Sequence, residues 1–163
     1  MNEPQDQPAI VVGIDGSEDS KHALRWAAEQ AYLTNAALQA TTAWQFPVDF
    51  GTVWQLPATY GRSHDLSEVD FSEDAKKTLH GVVEEALGEH PRLSVTPQLV
   101  SGHPAQVLIE ASRHAGLLVV GASGHGGFVG MLLGSVTQHC VTHSTCPVVV
   151  VRHPRSEVSD TRR

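Results

Sequence analysis

The chain has 163 residues, of which 40% are hydrophobic and 18% are charged, and its formal net charge is -7 at pH 7. A chain of this length without internal repeats is expected to form one domain with a substantial core. Because it is acidic and has no run of Lys and Arg that could neutralise a track of phosphates, it is not expected to bind nucleic acid.

The amino-terminal residues 1–8 are polar, and we expect them to be flexible. They lack the apolar segment of a signal peptide, and no part of the sequence approaches the roughly 20 apolar residues that span a bilayer. We therefore expect a cytoplasmic protein without a membrane contact. In that compartment Cys140 and Cys146 are expected to be reduced thiols with a structural role.

The first predicted elements are a buried strand and a helix. Residues 9–14, AIVVGI, form a continuous and largely β-branched run, which is typical of a strand buried on both faces. The run ends at Asp15 and Gly16. Ser17 then has the character of an N-cap, and apolar residues recur after it at helical spacing.

A weaker strand is predicted over residues 37–44, ALQATTAW, which are rich in Ala and Thr. Residues 45–66 follow, with prolines, glycines and aromatics but no clear period. A loop of that length is often a lid or a binding loop, and a variable surface loop is the alternative. From Ser72 to about Gly88 a helix is predicted.

The alternation continues in the second half of the chain. Residues 93–100, LSVTPQLV, are strand-like, but Pro97 cannot donate to a sheet ladder, so an edge strand or a bulge is predicted. A helix is expected to begin near Pro104 and to run to about His114.

The last predicted elements are two buried strands with a helix between them. The strands are LLVVG, residues 117–121, and VVVVR, residues 148–152, and the helix covers residues 135–143. Residues 154–163 are polar and predicted to be a flexible tail, which leaves 9–153 as the domain.

This alternation predicts an α/β fold, namely a single domain with an open, five-stranded, mostly parallel sheet and helices on both faces, in the manner of Rossmann-like proteins. Ligands of such folds bind outside the carboxyl ends of the strands, where the strand order reverses. Two tight junctions, VVGID at 11–15 and LVVGASG at 118–124, are expected to open on that crevice.

A glycine-rich stretch follows the fourth predicted strand. Residues 119–139, VVGASGHGGFVGMLLGSVTQH, contain six glycines. Gly121 follows the strand, Gly124 comes three residues later, and Gly134 and Ser135 begin a helix. Bare backbone and a helix N-terminus both offer N–H groups to an anion, so this stretch predicts a phosphate cradle.

Alternative interpretations of the same stretch were compared by spacing. Ser135 with Gln138 fits a capping box, which would give Ser135 a structural duty. A P-loop requires a Lys, and the stretch contains none. A dinucleotide fingerprint requires a third glycine, where this chain has Val129.

On these motifs the chain resembles the universal stress proteins, in their ATP-binding branch. The shared nucleotide motif is Gly, two residues, Gly, nine residues, Gly-Ser. Three longer stretches also resemble the family: IVVGIDGSEDSKHALRWA, VSGHPAQVLIEAS and LLGSVTQHCVTHSTCPVVVVR. Gly116 departs from it, because the family usually has an acidic residue just before the fourth strand.

The resemblance implies a site for an adenine nucleotide. Asp15, with Gly13 before it, would lie by the adenine and ribose, and the backbone of Ala43 would contact the adenine. The remaining residues would line the ribose and hold the phosphates. The full implied set is Gly13, Asp15, Ala43, Val120, Gly121, Gly124, Gly134, Ser135 and Val136.

The resemblance also implies ATP as the ligand and a homodimer that pairs strand 148–152 with its copy. Mg²⁺ is expected to share the phosphate charge. A nucleotide-responsive binding protein of the stress response, with little or no hydrolysis, is favoured, because no residue near the cradle is an obvious base or arginine finger. The alternative is a slow Mg²⁺-dependent ATPase with Asp15 near the metal.

Two other patterns would indicate different chemistry. Ser123 follows a strand as in a hydrolase nucleophile elbow, but His125 stands where a glycine is required. His139 and His143 are four residues apart, as in some metal sites. No Glu accompanies them in the arrangement of a metalloprotease, so we interpret them as surface and cap histidines.

Overall fold

The computed structural model describes residues 8–44, 71–88, 93–124 and 132–154. Strands and helices alternate along them: β1 (Ala9–Gly13), α1 (Glu18–Thr34), β2 (Leu38–Trp44), α2 (Phe71–Leu87), β3 (Val95–Ser101), α3 (Pro104–Ser112), β4 (Ala115–Gly121), α4 (Ser135–His143) and β5 (Val148–Val151). The flexible ends predicted at 1–8 and 154–163 fall almost wholly outside the described residues. The predicted loop 45–66 lies entirely outside them.

The predicted fold class is confirmed. The strands form one five-stranded sheet in the order β3-β2-β1-β4-β5, and every strand pair is parallel. The sheet is thus all-parallel, where the sequence predicted a mostly parallel one. The apolar runs of β1 and β4 lie at its centre, where both faces are covered.

The two faces of the sheet carry separate hydrophobic clusters. On one face Leu24, Leu38 and Leu79 bring α1, α2 and β2 together. On the other face Leu108 of α3 and Cys140 of α4 pack with Val11, Leu118 and Val120. All these side chains are at least nine-tenths buried, so the protein has three layers, with helices outside and the sheet between them.

The edges of the sheet follow from its sequence. Pro97 lies in β3, which is an edge strand, as predicted for a residue that cannot complete a ladder. The opposite edge is β5, whose four valines are all half-buried. Gly116 lies at the start of β4, where a Cβ would be only 3.0 Å from the ring of Pro8. Close packing with Pro8 therefore explains the glycine at this position.

The strand order places one crevice at the centre of the sheet. From β1 the chain proceeds outward through β2 and β3, and it then returns to the other side of β1 to form β4. The connections after β1 and β4 therefore leave the sheet in opposite directions, and a gap opens between them at the carboxyl ends of the strands. The two strands end within the segments VVGID and LVVGASG.

Candidate functional site

A cavity of about 430 Å³ lies at this crevice, within the size range of small-molecule sites. It is lined by Gly13, Ile14, Asp15, Ser17, Ser20, Thr41, Ala43, Pro104, Leu108, Val120, Gly121, Ser123, Gly124, Gly134, Ser135, Val136 and Thr137. All nine residues that the resemblance implied as a nucleotide site are in this set. Residues of β1, β2 and β4 and the ends of α1, α3 and α4 thus converge on one space.

The turn after β1 is held by its own side chains. The Oδ1 atom of Asp15 accepts hydrogen bonds from the backbone N–H of Ser17 at 2.9 Å and from its hydroxyl at 2.5 Å. Ser17 is the N-cap of α1, as predicted, and accepts a hydrogen bond from the N–H of Ser20 at 3.2 Å. Gly16 permits the turn with a φ of 81°. The Asp15 carboxylate is therefore fixed on the cavity wall, although it is exposed.

The N-terminus of α4 forms one end of the cavity. We call it the phosphate end, after the phosphate cradle that the sequence predicts there, and define it by Gly124, Gly134, Ser135 and Val136. The first turn of an α-helix has N–H groups without acceptors in the helix, and it is the positive end of the helix dipole. This turn is anchored to β4, because Thr137 Oγ1 donates to the carbonyl of Gly121 at 2.7 Å.

The predicted capping box at Ser135 is wrong. The N-cap of α4 is Gly134, in an extended conformation with φ -72°, and Ser135 is already the first helical residue. The side chain of Gln138 donates to the carbonyl of Leu133 at 3.2 Å instead. Ser135 lies one position too far along the chain to cap this helix, so its hydroxyl has no capping role.

The four glycines of the predicted site form two pairs, which differ in what an added side chain would contact. A Cβ on Gly13 would be 2.8 Å from Cδ1 of Leu108, and a Cβ on Gly121 would be 2.9 Å from the backbone of Asp19 and Ser20. The backbone of α1 leaves no room for a side chain at Gly121, whereas a side chain at Gly13 would displace the end of the Leu108 side chain of α3. Their missing side chains therefore serve helix packing in addition to any ligand contact.

Gly124 and Gly134 are free of such helix contacts. A Cβ on Gly134 would lie 3.5 Å from the Cα of Ser123, an ordinary contact distance, and it would fill part of the gap between α4 and the 122–124 turn. A Cβ on Gly124 would collide with Oδ2 of Asp15. The absence of side chains here leaves the phosphate end open and brings the Asp15 carboxylate next to the backbone.

A buried carboxylate that the sequence analysis did not identify holds the 122–124 turn, on the side of the phosphate end that faces away from the cavity. Asp19 in the first turn of α1 is only 3% exposed. Its Oδ2 atom accepts hydrogen bonds from the backbone N–H of Ser123 at 2.9 Å and from its hydroxyl at 2.8 Å. Its Oδ1 atom accepts one from the N–H of His153 at 2.9 Å and also contacts Nδ1 of that ring.

The environment of Asp19 keeps it ionised. Burial by itself would raise the pKa of this carboxyl, but the hydrogen bonds from His153 and Ser123 outweigh it and lower the pKa to about 2. Asp19 therefore joins α1, the 122–124 turn and the end of β5 through one charge. Its acidic position in a first helical turn was visible in the sequence, but its partners are 104 and 134 residues away.

The opposite end of the cavity is formed by side chains. We call it the base end, after the adenine contact that the resemblance implies at Ala43, and define it by Thr41, Ala43, Pro104 and Leu108. Thr41 is 2% exposed and Leu108 is 6% exposed. Ala43 follows Thr41 by two residues in β2 and so lies on the same face of the sheet. This end is mainly apolar, in contrast to the backbone donors at α4.

Several lining residues were not predicted as site residues. They are Ile14, Ser17, Ser20, Thr41, Pro104, Leu108, Ser123 and Thr137. Ser123 was identified for a different reason, as a candidate nucleophile, but its hydroxyl donates to Asp19. Because the pKa of the Asp19 carboxyl is lowered to about 2, it is too weak a base to activate a serine, so this geometry gives no support to hydrolase chemistry.

The histidine pair and the cysteines do not form a metal site within the described part of the chain. The rings of His139 and His143 are 6.2 Å apart, and Nδ1 of His139 pairs with the carbonyl of Ser135 at 2.8 Å. Burial raises the pKa of the Cys140 thiol to about 11 and also raises that of Cys146. Both are free thiols held in the protonated form.

Sequence comparisons identify the relatives of this chain. A sequence profile described as the Universal stress protein family matches residues 8–152. Universal stress protein Rv2005c of Mycobacterium tuberculosis is 32% identical over 160 residues, which cover 98% of this chain and 53% of that protein. Universal stress protein Rv2623 of the same organism is 34% identical over 152 residues, covering 93% and 47%. The chain thus spans about half the length of these curated relatives.

Structural comparisons find the same fold in solved proteins. Universal stress protein UspA from Lactobacillus plantarum superposes with a TM-score of 0.67 at 20% identity, over 89% of this chain and 97% of that one. A universal stress protein solved in complex with cAMP gives 0.53 at 26% identity, over 88% and 95%. One from Archaeoglobus fulgidus in complex with dAMP gives 0.60 at 22% identity, over 90% and 99%. No helix in the described residues combines the length and the hydrophobicity that a membrane span requires.

Proposed function

The chain belongs to the universal stress protein family, and from this premise we propose that its cavity binds ATP and that the protein is a nucleotide-responsive regulator with little or no hydrolysis. The observation that carries the proposal is the cavity itself, which has a donor-rich phosphate end and an apolar base end. Relatives solved with cAMP and dAMP support an adenine nucleotide as the ligand class.

The chemical difference between the two ends indicates how the nucleotide would be oriented in the cavity. The triphosphate would lie at the phosphate end, where the N–H groups of Ser135 and Val136 begin α4 and where Gly134 leaves room for a close approach. The adenine would lie at the base end against Ala43, Pro104 and Leu108. The ribose would then lie near Asp15 and Val120, between the two ends.

The residues at the cavity fit a nucleotide that carries Mg²⁺. Magnesium is commonly held by one or two carboxylates together with substrate phosphates. Asp15 supplies a carboxylate on the cavity wall. The ion would neutralise phosphate charge that an acidic protein with a net charge of -7 cannot neutralise by itself.

The geometry of Asp15 favours binding over hydrolysis. Both hydrogen bonds from Ser17 fall on one oxygen of the carboxylate, which holds it in the turn as a structural acceptor. The slow ATPase remains the second candidate, because the same carboxylate is exposed on the cavity wall. Phosphate release from Mg²⁺–ATP that is lost in Asp15→Asn would establish the ATPase, and absence of release would leave a binding protein.

The proposal also includes a homodimer in the cytoplasm. The half-buried valines of β5 form an edge whose backbone groups can pair with a second copy of strand 148–152. Sedimentation over a range of protein concentrations tests this part, and a monomer at all concentrations would refute it.

Gly134→Ala tests the phosphate end. The new methyl makes only ordinary contacts with the protein, at 3.5 Å or more, so the fold should persist. It would occupy the gap that the phosphates need, and we expect ATP affinity to fall by about 100-fold or more. Isothermal titration calorimetry on nucleotide-stripped protein provides the measurement.

Gly81→Ala is the matched control. Gly81 lies in α2, away from the cavity, and a Cβ there would meet nothing within 4 Å. This variant should keep the affinity of the wild-type protein for ATP. Equal affinity in Gly134→Ala and Gly81→Ala would refute the assignment of the phosphate end.

A further inference from the structure

Two adjacent threonines of β2 have opposite environments. Thr42 is half-buried, and its hydroxyl donates to the carbonyl of Ile14 at 3.1 Å. Thr41 is 2% exposed, and its hydroxyl has no hydrogen-bond partner among the residues that the structure describes. Because alternate residues of a strand face opposite sides, only Thr41 points to the side of the cavity, and it is among the lining residues.

The unpaired hydroxyl of Thr41 lowers the stability of the free protein. A buried polar group without a partner loses its hydrogen bonds to water and receives nothing in return. Valine has nearly the same shape and an equal preference for strands, so packing alone would favour it at this position. Since no described residue supplies a partner, we consider a ligand of the cavity that Thr41 lines. The hydroxyl oxygen is closed to solvent in the free protein, and a rotation of the side chain toward the cavity would bring it to such a ligand.

The surroundings of Thr41 limit what that partner is. Neighbouring lining groups at the base end are the apolar side chains of Ala43, Pro104 and Leu108. The backbone of Thr41 is already engaged in the sheet, since it pairs with Gly13 and its carbonyl accepts from the N–H of Ile14 at 2.8 Å. A ligand group that reaches this hydroxyl must itself be polar, while the rest of its surface would contact apolar side chains.

We propose that the Thr41 hydroxyl hydrogen-bonds to the polar edge of the bound nucleobase and is a determinant of base recognition. This inference rests on the proposed function, because it needs a nucleotide whose base lies at the base end. A hydroxyl both donates and accepts, so it can satisfy either a ring nitrogen or an amine of the base. A site that supplies such a buried partner discriminates strongly against ligands that lack it.

The test compares Thr41→Val with the matched control Thr42→Val, both as full-length protein stripped of nucleotide. Thr41→Val should lower ATP affinity by about tenfold, because the base edge is left without its partner. Affinity for inorganic tripolyphosphate, which has no base, should stay at the wild-type value. Thr42→Val should change neither affinity, because its hydroxyl is used inside the protein.

The melting temperature of the free protein supplies an independent readout. Thr41→Val removes an unsatisfied hydroxyl and should raise it by about 2 to 4 °C, whereas Thr42→Val removes a formed hydrogen bond and should lower it. Higher stability with weaker ATP binding is the combination expected of a hydroxyl that is kept for a ligand.

The outcomes separate the inference from the proposed function. If the wild-type protein binds no ATP, the proposed function itself fails. If it binds ATP and Thr41→Val matches it, only the role of Thr41 is overturned. An equal loss for ATP and tripolyphosphate would show that the substitution disturbs the whole cavity, and a lower melting temperature would show that the hydroxyl already has a partner. Either result also overturns the role.

Discussion

The two ends of the cavity are built from different parts of the chain. At the phosphate end the groups that face the cavity are largely main chain, since Gly124 and Gly134 have no side chains and α4 contributes the N–H groups of its first turn. At the base end the wall consists of side chains, with Thr41 and Leu108 almost fully buried. If the cavity binds a nucleotide as proposed, the phosphate end would accept any anion of suitable shape, whereas selectivity for the base would depend on individual side chains.

The ends also differ in how they are supported. The phosphate end is fixed from behind by Asp19, whose hydrogen bonds reach Ser123 and His153. The base end rests on the packing of α3 against the sheet, through contacts such as that between Leu108 and Gly13. A charge network and apolar packing respond to different perturbations, and this makes the comparison testable.

The largest effect is expected from Asp19→Asn, which weakens the hydrogen-bond network behind the phosphate end and leaves the base end unchanged. Both carboxylate oxygens accept hydrogen bonds, so an amide nitrogen would place a donor against the donors of Ser123 or His153. We expect the free energy of unfolding to fall by about 2 to 3 kcal/mol. Urea denaturation at neutral pH measures this change.

Glu18→Gln is the control for Asp19→Asn. Glu18 is the adjacent acid in the same helical turn, but its carboxylate is exposed and pairs with Lys21 at 3.0 Å. We expect little change in stability, because exposed ion pairs contribute little. If both variants unfold at the same urea concentration, the network around Asp19 does not support the phosphate end.

A smaller effect is expected from Gly124→Ala, which changes the phosphate end on the side that lines the cavity. The new Cβ would overlap Oδ2 of Asp15, so this carboxylate must leave its position beside Ser17. We expect ATP affinity to fall by about tenfold, with the fold intact because only the end of a side chain has to move. Titration with both ATP and tripolyphosphate should show the same loss. A loss confined to ATP would place the effect at the base end instead.

The smallest effect is a dependence of stability on pH. The pKa of Asp19 is lowered to about 2, below the value of about 3.9 for an unfolded Asp. Its stabilising contribution is therefore fully present above pH 4 and is lost as the pH falls from about 4 to about 2. The difference in unfolding free energy between wild-type protein and Asp19→Asn should shrink over this window. A constant difference down to pH 2 would contradict the lowered pKa.

Most of the fold was predictable because it depends on local patterns. Apolar runs such as AIVVGI and LLVVG mark buried strands, Ser17 marks a helix start, and Pro97 marks an edge strand. The capping box at Ser135 failed because a cap depends on the backbone conformation of one residue, and the sequence motif is satisfied equally well one position away.

The lining of the cavity was easiest to predict from the sequence where it consists of glycine. Gly124 and Gly134 can be recognised in a sequence because their spacing is unusual. The close packing of α1 on Gly121 and of Leu108 on Gly13 cannot be recognised there. The base end carries no such signal. Whether Thr41 or Thr42 faces the cavity depends on the register of β2, and whether its hydroxyl is paired depends on neighbours from other strands.

The most direct test of a two-ended nucleotide cavity is a calorimetric titration of nucleotide-stripped wild-type protein with Mg²⁺–ATP, with phosphate release followed in the same samples. The account predicts saturable binding of one ATP per chain, weaker binding of tripolyphosphate, and little or no release of phosphate. Absence of ATP binding, or equal affinity for ATP and tripolyphosphate, would contradict it.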